Sequence, residues 1–533
     1  MWREEESTEA MVTSNRASAG AAMDAAGVPV ARRDGRAARP GQPTGGASGG
    51  TDDGYEWTAL SVTTLGALLA SLQGSALLIA LPDILVQLKA SFLTIMWILI
   101  GYLLITTALV PVIGRLADMV GRKRLYNAGF AVFTLGSLLA GLGQPAFHGT
   151  DVLIARVVQG IGGALLITNS TAIVTDAFRR GRVGLGLGVN QIAAAAGFVL
   201  GPVVGGLLTA LSWRWVFLAN VPLGIFGTLW GLWRLREPVR LPARQHFDWG
   251  GSVLFTTGLG AVLLGLSLIA FPIWGEGVIR GLLVGGVVLL VAFAAYEWRQ
   301  PQPMMNLRLF AARLFAFANL ANLLNGVARG AVLFLLIFFL QGPYGKDPLM
   351  AGLMMAPFGL AFMLIGPISG YLSDHHGARG LGTLGLAVAA LGLLGLSTVT
   401  DQSPFWQLAL WMAVMGGGSG LFNSPNTNVI MTAVRPDQRG MAAGVRTMLA
   451  NTGQMLSIAI AFPLVLSKIP EDVMMKVFIY GGGMGQAPEA LAAFINGLHL
   501  AFFFSFIMSV VAALFSALQP AHSPRRAARA AGV

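Results

Sequence analysis

Fourteen apolar runs dominate this chain, at roughly 58–81, 93–113, 125–143, 152–174, 186–210, 215–234, 249–271, 278–297, 315–340, 349–371, 380–399, 405–430, 441–466 and 498–518. A run of about 20 apolar residues crosses the hydrocarbon core of a bilayer as a helix. Only helices and closed barrels span lipid, because backbone polar groups left unpaired there are too costly. Barrel strands are short and alternate in polarity, and these runs are long and continuous. The runs therefore predict an all-α polytopic membrane protein. The 70 glycines suit close helix contact in lipid, and the absence of cysteine excludes disulfides, thiolate metal sites and a cysteine nucleophile.

Residues 1–56 are polar, rich in Ala, Gly, Ser and Arg, and lack hydrophobic periodicity, which predicts a disordered tail. No apolar core follows the start, so no signal peptide is expected. The net charge of +11 has a topological origin. When loops are assigned alternately to two sides, one side collects 21 Lys and Arg, from Arg115 through Arg446 to Arg529. The other collects 6: Lys89, Arg214, Arg280, Lys346, Lys468 and Lys476. Positive charge accumulates on the cytoplasmic side, so both termini are placed there, as an even number of spans requires. No basic patch is interleaved with exposed aromatics, and no nucleic-acid partner is expected.

One charged stretch recurs. "GRLADMVGRKRLYNAG" begins at Gly114 and "GYLSDHHGARGLGTLG" at Gly370, with Gly, Leu, Asp and Gly at the same spacing and a basic residue following. Each copy follows the second helix of a six-helix block if spans seven and eight are an insertion. Internal repeats of this kind mark secondary transporters, which bind substrate at the repeat interface near the midplane.

Further motifs add to the repeat. "RVVQGIGGA" runs from Arg156 to Ala164, "GFVLGPVVGG" from Gly197 to Gly206, "WRWVFLANVPLG" from Trp213 to Gly224 and "FDWGG" from Phe247 to Gly251. Together with Gly114–Arg124 they resemble the major facilitator superfamily, in its 14-helix drug:proton antiporter branch, over residues 57 to about 520. The resemblance implies the major facilitator fold: two six-helix bundles, at 57–236 and 301–520, plus two extra helices at 237–300, giving 14 transmembrane helices between cytoplasmic tails at 1–56 and 521–533. It implies a monomeric secondary transporter of the bacterial inner membrane, with the bilayer, a small-molecule substrate and protons as partners. Neither an enzyme activity nor a cofactor is implied. The transporter would export small amphiphilic or hydrophobic compounds by alternating access, driven by the proton gradient. By the same resemblance, Gly114, Asp118, Gly121, Arg122 and the second-copy Asp374 latch the halves on the cytoplasmic side, against Arg439–Gly444.

The residues themselves qualify this picture. Gly197, Gly201, Pro202 and Gly205 suit helix packing and a kink, and equally a role in rocking. Arg156 lies in an apolar span with Gln159 one turn on; a charge there costs about 2.5–3.5 kcal/mol on insertion scales and marks either function or a structural arginine. The branch usually carries an Asp in helix 1 before its "ALP" signature, but here the position is Gln73, which cannot titrate. That leaves the coupling ion open, and with it a rival reading: a transporter of an anionic metabolite or lipid without proton coupling. Asn319, Asn322, Asn325 and Arg329 share one helical face, as a substrate-facing stripe or a polar seam, and the amides are expected to supply acceptors for Arg329. No cluster of His, Asp and Glu suggests an enzyme, no filter-like repeat suggests a channel, and no G-x-x-x-x-G-K-[ST] motif suggests ATP hydrolysis.

Overall fold

The computed structural model describes residues 53–178, 183–237, 248–270, 275–300, 303, 305, 307–434, 438–466 and 488–520. The tails, including 1–52 and 521–533, lie outside the described residues. Regular structure among the described residues is helical throughout. The first half of the chain contributes α1 (Asp53–Gln87), α2 (Phe92–Val120), α3 (Arg122–Gly141), α4 (Thr150–Ala177), α5 (Val183–Leu211), α6 (Arg214–Leu218) and α7 (Asn220–Arg234). Next come α8 (Trp249–Ala270) and α9 (Glu276–Glu297). The second half contributes α10 (Arg313–Arg329), α11 (Val332–Gln341), α12 (Pro348–Met354), α13 (Ala356–His376), α14 (Ala378–Leu396), α15 (Phe405–Thr432), α16 (Arg439–Leu466) and α17 (Pro488–Ala517).

All fourteen apolar runs fall on helical backbone, three of them on helices interrupted at Ala219, Gly330–Ala331 and Met355. By length and composition, ten helical stretches among the described residues can cross a membrane. The other four runs fall on α3, α5, α15 and α16; α15 and α16 dilute their apolar residues with Gly, Ser, Asn and Gln. Helix α1 begins at Asp53, inside the stretch whose composition reads as tail.

The packing of the first half is repeated in the second. α1 lies on α5 as α10 lies on α16. α3 and α2 lie on α4 as α14 and α13 lie on α15, and α7 on α3 as α17 on α14. The halves meet in a crossed arrangement, with α16 against α2, and α12 and α13 against α5. The α8–α9 hairpin attaches through α8 to α2 and α16, leaving Val284, Val287, Val288 and Val291 of α9 exposed, as lipid contact requires.

The repeated charged stretch owes its glycines to backbone geometry. α2 passes into α3 at Gly121 (φ +112°, ψ 130°), and α13 into α14 at Gly377 (φ +90°, ψ 137°). Any residue with a Cβ is strained in that conformation, so both copies place glycine at the same corner.

Candidate functional site

At the α2–α3 corner, Glu237 takes the part of a missing cap. Its carboxylate accepts from Arg122 N at 2.9 Å and Lys123 N at 3.2 Å, two of the amides that the start of α3 leaves free. A Cβ at Gly121 would lie 2.8 Å from that carboxylate. Arg122 Nη1 reaches Asp176 Oδ2 at the end of α4, at 2.5 Å. Gly114 faces α4 in ordinary contact, its Cβ position 3.4 Å from Thr168. Asp118 and Asp374 lie on helical backbone, and their side chains lie outside the described residues. Of the expected latch target, Gly444 of α16 meets α2 eleven residues before this corner, where its Cβ would lie 3.6 Å from Val110.

Gly197, Gly201 and Gly205 bring α5 into backbone contact with α1. Cβ atoms there would lie 2.6 Å from Leu68 O, 1.8 Å from Ser75 Oγ and 2.6 Å from Ala76 O. At Pro202 the same helix meets the other half, since a Cβ at Gly352 of α12 would lie 2.3 Å from the Pro202 carbonyl oxygen. Packing and the seam between halves therefore use the same few residues.

Arg156 is buried in a closed network. Its Nε donates to Ile98 O of α2 at 3.0 Å, its Nη1 donates to Gln159 Oε1, and its guanidinium lies 4.4 Å from the Tyr102 ring centroid. Gln159 Nε2 in turn donates to Ser137 Oγ of α3 at 2.7 Å, and Ser137 Oγ donates to Phe133 O at 2.8 Å. α3 and α4 come close enough for this because Gly136 faces Gln159 N and Gly162 faces Phe133 N, leaving no room for a Cβ.

Gln73 is also buried, and pairs with another amide: Asn220 Nδ2 at the start of α7 donates to its Oε1 at 2.5 Å. Asn220 anchors itself on Val216 O at 3.1 Å.

The asparagine stripe does not serve Arg329. Asn319 Nδ2 donates to Phe315 O within its own helix at 2.9 Å, and Asn322 Nδ2 donates to Arg446 O of α16 at 2.8 Å. Asn325 is buried on the same face. Arg329 Nε is buried without a hydrogen-bond partner, and the guanidinium lies 5.8 Å from the Phe362 ring centroid. The expectation of amide acceptors fails because the α10–α16 contact is so close. Gly326 and Gly453 face the opposing backbone, the Nδ2 groups of Asn319 and Asn322 hold α10 itself and α16, and Asn319 Oδ1, the expected kind of acceptor, is buried without a partner among the described residues and does not reach Arg329.

On α16, level with Asn322, stands a residue that sequence reading passed over. Arg446, counted above among loop charges, belongs to α16, where its Nη2 donates to Asn423 Oδ1 of α15 at 2.7 Å. Its place six residues inside an apolar run is the signal that identifies it. Glu237 and Asn220 left no comparable signal, since their partners are 114 to 147 residues away.

The two halves pack alike, with crossed contacts between them, as the internal repeat in the sequence requires. The Major Facilitator Superfamily model matches residues 63–457, with a further match over 318–533. The chain belongs to the major facilitator superfamily. As a superfamily transporter it is similar to the riboflavin transporter RibZ of Clostridioides difficile, at 30% identity over 406 residues, 76% of this chain and 87% of that one. It is 32% identical to the cephamycin export protein CmcT of Amycolatopsis lactamdurans over 442 residues, 82% of this chain and 87% of that one. A D-xylose–proton symporter shares the fold, with a TM-score of 0.59 at 16% identity over 87% of this chain and 97% of that one.

Proposed function

We propose that this transporter exports small amphiphilic or hydrophobic compounds across the cell membrane by alternating access. In this reading fourteen helices cross the bilayer, six at 57–236, two at 237–300 and six at 301–520, with both termini cytoplasmic and the gradient of protons as the driving force. Its main support is the α5 seam. Gly197, Gly201 and Gly205 hold α5 on α1 as one body, while Pro202 bears on α12 of the other half. A joint rigid on one side and in contact on the other is what rocking of the halves requires. The α2–α3 corner with Glu237, Arg122 and Asp176 supports a second, cytoplasmic closure against α16. The similarity to a cephamycin export protein agrees with this reading, and the similarity to a riboflavin transporter keeps the substrate range open.

Expression in a host stripped of its efflux pumps should raise tolerance to some hydrophobic compounds. Unchanged tolerance across a broad panel would instead favour carriage of an anionic metabolite or lipid. Gln73 favours that second reading for the coupling step, since its amide is paired with Asn220 and carries no titratable proton. Transport into liposomes with and without a pH gradient separates the two.

A further inference from the structure

Two seams join the halves, and their surroundings differ. Four helix ends share the side that carries the Gly121 and Gly377 corners: the ends of α2 and α13 and the starts of α5 and α16. On the α2–α16 seam this side is shut, with the Cβ position of Gly444 lying 3.6 Å from Val110. A third span covers it. α8 lies against both α2 and α16. Its Phe255, Leu259 and Leu263, one turn apart on one face, enter the core that holds Ile98 of α2 and Val445 of α16.

On the α5 seam, contact is made farther from the corners. Pro202 meets Gly352, and a crevice no larger than a water molecule lies between Pro202 and Leu78 of the first half and Phe358 and Gly359 of α13. Toward the corners the same two faces carry glycine. Gly188 lies about four turns before Pro202 on α5, and Gly366 about two turns after Gly359 on α13. Among the described residues, nothing lies within 4 Å of the Cβ position of either. Nor does a third span among them cover this side as α8 covers the other: Ile192 and Leu200 of α5 and Leu364 and Ile368 of α13 stay exposed. Phe362 stands between the crevice and Gly366, half-buried, its ring stacked on Phe358 with centroids 6.3 Å apart. From the bilayer to the crevice the named walls are therefore apolar, and a charged or hydrated molecule finds no partner on them.

We propose that this gap is a lateral port: uncharged lipophilic compounds dissolved in the bilayer leaflet on the corner side pass into the transporter between α5 and α13, while the α8–α9 hairpin closes the matching α2–α16 side against them. The port rests on the export reading above and names the substrate class and its way in. Such a compound travels from lipid to Phe362 without crossing water, whereas a hydrated solute gives up its water on the same path.

The test uses the full-length protein in phosphatidylcholine liposomes and 3-trifluoromethyl-3-phenyldiazirine, an uncharged compound of benzene size that partitions into the bilayer. Light expels N2, and the carbene left behind inserts into a nearby C–H bond, so peptide mass spectrometry records where the compound stood. Val288, exposed on α9, reports labelling from lipid. Phe362 should be labelled comparably to Val288, and Met448, one turn beyond Gly444 on α16, far less. Gly188→Trp and Gly366→Trp should each lower labelling of Phe362 about tenfold, because an indole occupies a gap that passes a benzene ring. Gly281→Trp on α9, whose Cβ position is equally open, should leave it unchanged. The unaltered protein decides the first point without any variant: a labelled Val288 beside an unlabelled Phe362 overturns the port. Labelling of Met448 as strong as that of Phe362 overturns the seal. Unchanged labelling of Phe362 in both folded Trp variants means that the compound arrives by another way, and overturns the proposal. A port that behaves as described in a protein that exports no compound leaves this inference standing and overturns the export reading alone.

Discussion

Arg156 in α4 and Arg329 at the end of α10 are both arginines inside apolar runs, and the two halves treat them oppositely. Arg156 donates to a backbone carbonyl and to Gln159, lies over Tyr102, and extends through Gln159 to Ser137 on a third helix. Arg329 has a buried Nε with no partner among the described residues and lies beside the Phe362 ring. A charge satisfied by fixed groups holds helices together, whereas a charge left short of acceptors is available to something that comes and goes. The same residue type, flagged by the same sequence rule, therefore stands in two different settings.

The sharpest way to break this comparison is to remove Arg156. Arg156→Ala leaves Ile98 O and Gln159 Oε1 without their donor in a buried site and should cost about 3 kcal/mol, read as a large fall in the unfolding midpoint in detergent. A midpoint unchanged from the parent would mean that the α2–α3–α4 network carries little stability.

The two glycine corners give the next test, because the copies differ in their surroundings. Gly121→Ala meets both an unfavourable φ and the Glu237 carboxylate, and should cost about 2 kcal/mol. Gly377→Ala meets only the φ, with nothing within 4 Å of its Cβ position, and should cost about 1 kcal/mol. Equal losses would remove Glu237 from the account of the first corner. Glu237→Ala, which uncaps α3, is expected to cost about 1 kcal/mol, with fraying at Arg122 and Lys123 visible as faster amide exchange. Smallest of all is Arg329→Gln. It removes an Nε donor that has no hydrogen-bond partner among the described residues, so stability should stay within about 0.5 kcal/mol.

Much of the fold was legible in the sequence. Apolar runs long enough for lipid locate the α-helices among the described residues, and the recurrence of Gly121 at Gly377 marks the internal repeat because only glycine suits that corner. The site was legible only in part. Arg156, Arg329 and Gln73 stand out because their types are costly in an apolar run. Whether each is satisfied depends on atoms far along the chain: Ile98 O for Arg156 and Asn220 for Gln73. The asparagine stripe shows the same limit. Periodicity correctly puts Asn319, Asn322 and Asn325 on one buried face but does not say that Asn322 turns to the Arg446 carbonyl instead of to Arg329. Arg446 was counted with the loop charges because it lies near the start of its run, where a basic residue is ordinary.

The most direct test of the contrast is a set of melting curves on Arg156→Gln and Arg329→Gln beside the parent protein. Arg156→Gln is expected to melt well below the parent, while Arg329→Gln melts close to it or above. An Arg329→Gln protein that melts low beside an Arg156→Gln protein that melts like the parent would contradict the contrast.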